Sequence, residues 1–147
     1  MISTSNIEQA RKEILSLVKQ NKHPIIVEAQ DDDFNRKILE YGKFDILLSL
    51  EKGNKKDKPK ALDSGLNEVL CDIAAKNRIS IGIDIEDIEK LEKKEKAQRL
   101  ARIIQNIRLC RKSKTKLKII NYKDKKSAFS FLISLGASTQ QAKEAIS

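Results

Sequence analysis

The sequence predicts an α/β fold in which parallel strands alternate with helices. Three observations lead to this prediction. Four short apolar runs, typical of parallel strands buried on both faces, are spread along the chain. A segment with helical periodicity separates each run from the next, as a parallel connection requires. The length of 147 residues suits one domain, residues 1–147, but falls short of the roughly 250 residues of a closed eight-fold barrel, so we expect an open sheet or part of a barrel.

The first half of the chain alternates helix, strand, helix and strand. Residues 4–21 place apolar side chains at helical spacing, and Pro24 ends that segment. Three aspartates at residues 31–33 supply an N-cap and favourable helix-start charge, and Gly42 is a helix stop. The elements predicted here are helices at 4–21 and 32–41 and strands at 25–29 and 44–50.

The second half begins with a basic loop at residues 52–60, which contains Gly, Asn and Pro. The densely charged residues 86–98 are predicted to begin a long helix that runs to about Lys112 along an apolar stripe. Gly136 divides the last helical segment into two. The elements predicted here are helices at 66–77, 86–112, 127–135 and 138–146 and strands at 79–85 and 117–121.

Positive charge is concentrated in one stretch of the chain. The sequence has 30 Lys or Arg against 21 Asp or Glu, a formal net charge of +9. Residues 99–126 carry basic residues with Asp124 as their only acidic residue, so this stretch accounts for the whole net charge. Such segregation is typical of a protein that binds a polyanion, although a solvated basic surface in a lysine-rich proteome is the alternative. The share of Arg favours nucleic acid, and the lack of aromatic residues over 99–121 favours structured RNA or duplex backbone.

Residues that common catalytic sites require are scarce. The single histidine, His23, precedes a predicted strand, and Cys71 and Cys110 stand among apolar neighbours without metal or redox spacing. We interpret both cysteines as small buried hydrophobic residues. No glycine belongs to a GxGxxG or GxxxxGK phosphate-binding motif. The sequence therefore offers no self-contained active site, and since no apolar run approaches the roughly 18 residues of a membrane span, we expect a cytoplasmic protein.

Two basic segments are predicted at the same end of the sheet. The loop at 52–60 follows one strand, and residues 121–123 follow another. Ligands of open α/β sheets and of barrels bind at the carboxyl ends of the strands. We therefore expect a polyanion at that edge of the sheet.

Four ordered motifs resemble ribonuclease P protein component 3, an archaeal and eukaryal subunit family of the ribonucleoprotein that trims transfer RNA 5′ ends. The family's patterns are NR followed by (K)xDIL, then LNxVLxxxAAKNxVxI, then NxRLxRK, and finally LGxSxxxA. The segments similar to them are residues 35–36 with 43–47, residues 66–81, residues 106–112 and residues 135–142. The resemblance extends over residues 25–146, nearly the whole chain.

The resemblance implies a TIM-barrel-like α/β fold, RNA binding, and a place among several proteins around a catalytic RNA. Because the chain is shorter than a typical member, the first and terminal strands of the barrel are expected to be missing, with sheet edges covered by helices or a partner. The implied partners are ribonuclease P RNA, precursor tRNA and other ribonuclease P protein subunits, including a small one in a heterodimer or heterotetramer, with no membrane. The implied chemistry is phosphodiester hydrolysis by the RNA with magnesium, so we expect no catalytic residue, metal or cofactor in this chain.

The family motifs and the basic segments select side chains that contact RNA or support such a site. The predicted RNA-binding residues are Arg36, Arg99, Arg102, Arg108, Arg111, Lys112, Lys114, Lys123, Lys55 and Lys56. Two structural alternatives stay open: Arg36 as an intrahelical partner of the acidic run before it, and Arg111 as a helix-end cap. Asn77 is expected to end its helix in a left-handed conformation.

A second function of another class also stays open. Asp31, Asp45 and Asp84 could hold a metal ion in an autonomous phosphoesterase-like or deacetylase-like barrel enzyme, provided that they converge at the carboxyl ends of the strands. A structural hydrogen bond inside a buried strand explains Asp45 at least as well. Hydrolysis of precursor tRNA or of a model phosphoester by the protein alone would distinguish this enzyme from an RNA-binding subunit.

Overall fold

A computed structural model describes residues 1–53 and 63–147 of the chain. The strands within these ranges are β1 (Ile26–Glu28), β2 (Ile46–Leu48), β3 (Ser80–Asp84) and β4 (Leu117–Ile120). The α-helices are α1 (Ile7–Lys19), α2 (Asp32–Tyr41), α3 (Glu68–Lys76), α4 (Ile85–Glu89), α5 (Lys93–Ser113), α6 (Lys125–Ser134) and α7 (Thr139–Ala145). None of the helices described is long and apolar enough to cross a membrane.

The four strands form one parallel sheet in the order β1-β2-β3-β4. Each strand pairs with the strand before it in sequence, in a register that aligns Val27 with Leu47, Leu47 with Ile81, and Ile81 with Leu117. This order is that of a stretch of barrel wall, because a doubly wound sheet reverses its strand order partway across. The prediction of a short, open, TIM-barrel-like α/β fold is confirmed.

One residue occupies the place of the first strand that the sequence was expected to lack. The Ile2 N–H donates to the Ile26 carbonyl at 2.8 Å, and the Glu28 N–H donates to the Ile2 carbonyl at 2.9 Å, so Ile2 bridges β1 in parallel. Ile2 therefore adds a one-residue parallel bridge at the outer edge of β1. At the opposite edge α7 packs against β4, and the Lys118 ammonium donates to the carbonyl of Ser147. Both edges of the sheet are thus partly covered.

Polar residues set where the helices begin. The Asp31 carboxylate accepts a hydrogen bond from the Phe34 N–H at 2.8 Å, which confirms the capping role predicted for residues 31–33. Ser138 and Gln141 form a reciprocal capping box at the start of α7. Each of these caps satisfies a backbone N–H that the first helical turn leaves without an intrahelical partner.

The chain leaves β2 earlier than predicted. The strand predicted at 44–50 ends at Leu48, because Ser49 adopts a left-handed backbone with φ of 62° and turns the chain into the 3-10 helix Leu50–Lys52. The chain returns against this turn at Gly65, where φ is +81° and a Cβ atom would lie 2.4 Å from the Leu50 carbonyl oxygen. Only glycine fits that approach.

The long helix predicted at 86–112 is two helices, separated at residues 90–92. Ile88 of α4 is buried in the main core, and the Asp87 carboxylate accepts from the Arg99 guanidinium of α5 at 2.9 Å. The bond between Asp87 and Arg99, which are 12 positions apart, requires α4 to fold back against α5, and a continuous helix does not permit this.

Asn77 ends α3 but is not left-handed. Its φ is −91°, and the left-handed residue is Arg78, with φ of 58°. The Asn77 side-chain amide donates to the Leu39 carbonyl at 2.7 Å and so joins α3 to α2. The expected left-handed conformation is wrong by one residue, because this contact engages the Asn77 side chain and the turn follows it.

The main hydrophobic core lies on one face of the sheet. Val27, Leu47, Ile81 and Leu117 pack there with side chains of the helices. Alternate residues of the strands point to the other face, which corresponds to the interior of a closed barrel. This open face carries Ile46, Leu48, Ser80, Gly82 and Lys118.

Cys71 of α3 and Cys110 of α5 are free thiols with no exposed surface. The neighbouring Cys71 thiol and burial both raise the pKa of Cys110, so that thiol stays protonated. The interpretation of both cysteines as small buried hydrophobic residues is confirmed.

We predict that Gly82→Ala destabilises the protein by about 1–3 kcal/mol through overpacking of the open face. A Cβ at Gly82 would lie 2.5 Å from Cγ2 of Ile46 and 3.0 Å from Cδ1 of Leu48. Chemical denaturation of the purified chain measures the free energy of unfolding.

A double-mutant cycle with Ile46→Ala provides the control. Because Ile46→Ala removes the clashing methyl group, the double variant should be less destabilised than the sum of the two single variants. Strict additivity would contradict the assigned contact.

Candidate nucleic-acid interface

The predicted RNA-binding residues do not share one surface. Lys55 and Lys56 lie outside the described residues. The other predicted residues comprise the buried Arg99 and Arg102, the partnered surface residues Arg36, Arg111 and Lys112, and the exposed Arg108, Lys114 and Lys123.

Arg99 and Arg102 hold the end of β2 against α5. The Arg99 guanidinium donates to Glu51 and to Asp87, both at 2.9 Å, although Arg99 is only 7% exposed and Glu51 only 2%. Arg102 donates to the main-chain carbonyls of Glu51 and Gly53, both at 3.1 Å. The donors of Arg99 and Arg102 point into the protein, which fits the site-supporting role of the prediction rather than direct contact with RNA.

Burial and charge act in opposite directions within this cluster. Desolvation raises the pKa of Glu51, and the nearby Arg99 only partly offsets it. The hydrogen bond from Arg99 lowers the pKa of Asp87. Burial alone would lower the pKa of Arg99, but its bonds to the two carboxylates raise it. Arg99 is therefore the cation that makes a buried Glu51 carboxylate tolerable.

Arg111 joins α5 to the turn between α6 and α7. Its Nε donates to Oε1 of Gln141 at 3.2 Å, and its Nη2 donates to the carbonyl of Gly136. The Gln141 side chain also donates to the Ile107 carbonyl of α5 at 3.1 Å. Arg111 thus stabilises the tertiary packing of α7 rather than capping its own helix.

Two other predicted residues form exposed ion pairs. Lys112 meets Glu68 of α3 at 2.6 Å, and this hydrogen bond raises the pKa of Lys112. Arg36 pairs with Glu40 one turn later at 2.9 Å, so the intrahelical alternative is confirmed with a different carboxylate from the expected run at 31–33. Exposed pairs of this kind are worth little in stability, so both cations remain accessible to an anion.

Arg108, Lys114 and Lys123 project from the surface without an ion-pair partner in residues 1–53 and 63–147. Lys114 is the left-handed residue that ends α5, at the amino end of β4, whereas Lys123 lies beyond the carboxyl end of β4. The predicted residues therefore do not gather at the carboxyl edge of the sheet.

A basic cavity of about 820 Å³ opens at the opposite edge, where the strands begin. The amino-end cavity, as we call it, is lined by the cations Arg78, Lys114, Lys116 and Lys118 and by His23, Asp45 and Ser80. Of these cations, only Lys114 is among the predicted RNA-binding residues. Lys116 and Lys118 lie on either side of Leu117, so both project to the open face, and this alternation is the signal that could have predicted the cavity.

The structure does not bring together the three aspartates on which the metal-site alternative depends. Asp84 caps α4 at the carboxyl end of β3, and Asp31 caps α2, but Asp45 lies at the amino end of β2. There Asp45 makes a structural bond, accepting from the Ile25 N–H at 2.6 Å, but it precedes β2 and is partly exposed rather than inside a buried strand as expected. Within the described ranges no three His, Cys, Asp or Glu side chains are placed to hold a metal ion. The three aspartates thus do not converge.

Fold and surface together define a short, open α/β barrel-like protein with exposed cations at both ends of β4, among them Lys114 and Lys123. A chain in the cryo-EM structure of archaeal ribonuclease P with mature tRNA has the same fold, with a TM-score of 0.80 and 24% identity over 98% of this chain. This chain spans 62% of the length of that one. No protein-family model and no curated protein matches the sequence.

We predict that Arg99→Met destabilises the protein by about 3–5 kcal/mol at neutral pH, because it leaves the Glu51 carboxylate buried without its cation. The pKa of Glu51 then rises further above the ordinary value of 4.5, so ionisation of Glu51 opposes folding as the pH rises. Asp87 loses the hydrogen bond that lowers its pKa. The stabilisation that this bond gives the folded protein is present above the ordinary pKa of 3.8 and is lost at lower pH. The deficit should therefore shrink as the pH falls toward 4.5, as measured by denaturation at several pH values.

Two variants control this measurement. Lys37→Met breaks the exposed pair with Asp33 and should change the unfolding free energy by no more than about 0.5 kcal/mol. Arg99→Met combined with Glu51→Gln removes the buried charge and should regain part of the lost stability. A deficit independent of pH would show that lost packing, rather than unpaired charge, causes the effect.

Proposed function

We propose that this chain is a protein subunit of ribonuclease P, the ribonucleoprotein that removes the 5′ leader from precursor tRNA. The observation that carries the proposal is the fold shared with a chain of archaeal ribonuclease P over 98% of this sequence. The four ordered motifs independently resemble ribonuclease P protein component 3. The concentration of positive charge over residues 99–126 agrees with an RNA partner.

In this proposal the RNA performs the hydrolysis with magnesium, and the protein binds and stabilises it. Arg108, Lys114 and Lys123 are exposed cations that neutralise phosphates and release condensed counterions. Lys112 and Arg36 join them by exchanging an exposed carboxylate partner for a phosphate. Arg99, Arg102 and Arg111 support this surface by positioning α5.

Other protein subunits of the ribonucleoprotein are the further partners in this proposal. The outer edges of β1 and β4 are only partly covered in the described chain, by Ile2 and by α7. A partner subunit would cover an edge of this kind. Which edge it meets can be read from protection of backbone amides in the complex.

We predict that Arg108→Gln with Lys123→Gln weakens binding to ribonuclease P RNA and lowers the salt dependence of that binding. Each lost phosphate contact should reduce the slope of log K against log salt concentration by about 0.7–0.9. Filter binding or fluorescence anisotropy over a range of salt concentrations measures both quantities. Reconstituted cleavage of precursor tRNA should fall with the affinity.

The matched control is Lys37→Gln with Lys90→Gln, which removes the same charge from exposed lysines already paired with a carboxylate one turn away. This control should leave affinity and slope close to the wild-type values. Equal losses of RNA affinity in both double variants would show that net charge, rather than the positions of Arg108 and Lys123, causes the effect. Hydrolysis of precursor tRNA by the protein without RNA would overturn the proposal in favour of an autonomous enzyme.

A further inference from the structure

We propose that the amino-end cavity binds phosphate groups of an RNA backbone. The inference rests on the proposed function for the identity of the polyanion. The cavity lies at the edge of the sheet opposite to the one at which the sequence predicts a ligand. Its volume of about 820 Å³ falls within the range of about 300–1,000 Å³ typical of ligand pockets.

The cations of the cavity are largely uncommitted. Arg78, Lys114 and Lys116 are exposed, and their side chains form no ion pair with residues 1–53 or 63–147. The Lys118 ammonium donates to the main-chain oxygen of Ser147. The other three cations therefore line the cavity without an ion-pair partner among residues 1–53 and 63–147.

Among the described lining residues, the one carboxylate is already engaged. Oδ2 of Asp45 accepts from the Ile25 N–H at 2.6 Å and lies 3.0 Å from Nδ1 of His23. These contacts hold Asp45 at the wall beside β1. An anion that enters the cavity replaces water around the lysines rather than an existing ion pair.

Strand geometry brings two of the lysines beside a hydroxyl group. The Ile81 N–H donates to the Lys116 carbonyl at 2.9 Å, and Lys118 is the register partner of Gly82. Lys116, Lys118 and Ser80 therefore project to the same open face of neighbouring strands. Phosphate oxygens accept hydrogen bonds from donors of this kind, namely ammonium and hydroxyl groups.

Helix dipoles explain only part of this arrangement. Arg78 and Lys114 directly follow the carboxyl ends of α3 and α5, where a cation is stabilised without any ligand. Lys116 and Lys118 stand on β4 and its approach, where no helix end accounts for them. Their place on a barrel-interior face, which ordinarily carries packed side chains, is what points to an anionic ligand.

The test uses the full chain and the variant Arg78→Asn with Lys116→Gln. Asn is chosen because it tolerates the left-handed backbone at this position, where φ is 58°. The matched control, Lys12→Gln with Lys94→Gln, removes two exposed lysines from α1 and α5 far from the cavity in sequence. Circular dichroism and thermal unfolding establish that each variant is folded before binding is measured.

Two probes separate free phosphate from RNA. Inorganic phosphate is titrated while the amide NMR signals of Ser80 and Lys116 are followed, and a fluorescein-labelled oligouridylate is titrated at several salt concentrations. We expect the variant to lose the phosphate-induced shifts, to bind the oligonucleotide about tenfold more weakly, and to lower the salt slope by about 1.4 at about 0.7 per contact. The control should match wild type, and Lys116→Arg, which keeps the charge, should retain binding.

Unchanged oligonucleotide affinity in the folded cavity variant would overturn the inference, as would an equal loss in the control. Phosphate-induced shifts without any change in RNA affinity would also overturn it, since the cavity would then bind free phosphate only. If wild type binds oligouridylate through the cavity but shows no preference for ribonuclease P RNA, the cavity inference stands and the proposed function fails. If the cavity variant keeps full affinity for ribonuclease P RNA while Arg108→Gln with Lys123→Gln loses it, the proposed function stands and the cavity inference fails.

Discussion

The carboxyl side of the sheet depends on one buried ion pair, between Arg99 of α5 and Glu51 after β2. A carboxylate that is 2% exposed requires a cation and further hydrogen bonds, since the desolvation of an isolated ion costs several kcal/mol. Arg99 supplies the cation and also binds Asp87 of α4, while Arg102 takes two carbonyls of the same turn. Three segments distant in sequence therefore meet at one guanidinium.

The ion pair lies on the buried side of α5. Its buried side includes Arg99, Arg102 and Asn106, whose amide donates to the Ser64 carbonyl at 3.4 Å, together with Ile103 and Ile107. The outward side then presents Arg108. The buried ion pair and the apolar residues of α5 therefore lie on one side of the helix, and Arg108 belongs to the exposed basic surface on which the proposed function rests.

Local patterns were sufficient to predict the fold class, because strand alternation, helix periodicity and caps such as Asp31 depend on near neighbours in sequence. The burial of Arg99 was not predictable in this way. An arginine beside an apolar stripe has the same pattern whether it faces solvent or a buried carboxylate, and its partner Glu51 lies 48 positions away. The break between α4 and α5 escaped prediction for the same reason, since it depends on the contact between Asp87 and Arg99.

The polar residues of the recognised motifs mostly serve the fold. Asn35 accepts from the Gln30 N–H at 2.7 Å and donates to its carbonyl, Asn77 donates to the Leu39 carbonyl, and Arg111 donates to the carbonyl of Gly136. Motifs whose polar residues make such contacts are good indicators of a shared fold. This agrees with the comparison to the chain in the cryo-EM structure, which gives a TM-score of 0.80 at 24% identity. They select an RNA-binding surface less well, because side chains engaged inside the protein have few donors left for a ligand.

The charge balance at the amino end of the sheet supports the proposal that an anion binds there. The carboxyl ends of α3 and α5 each contribute about half a negative charge, and Asp45 contributes one more. Against the four cations of the amino-end cavity this leaves a surplus of about two positive charges in a concave site. Concave walls of low dielectric focus such a field and raise the local concentration of anions. Two cations would already balance the helix ends and the carboxylate. The Lys118 ammonium binds Ser147, whereas the Lys116 side chain has no ion-pair partner in residues 1–53 and 63–147, so Lys116 is the cation whose charge a bound anion would use.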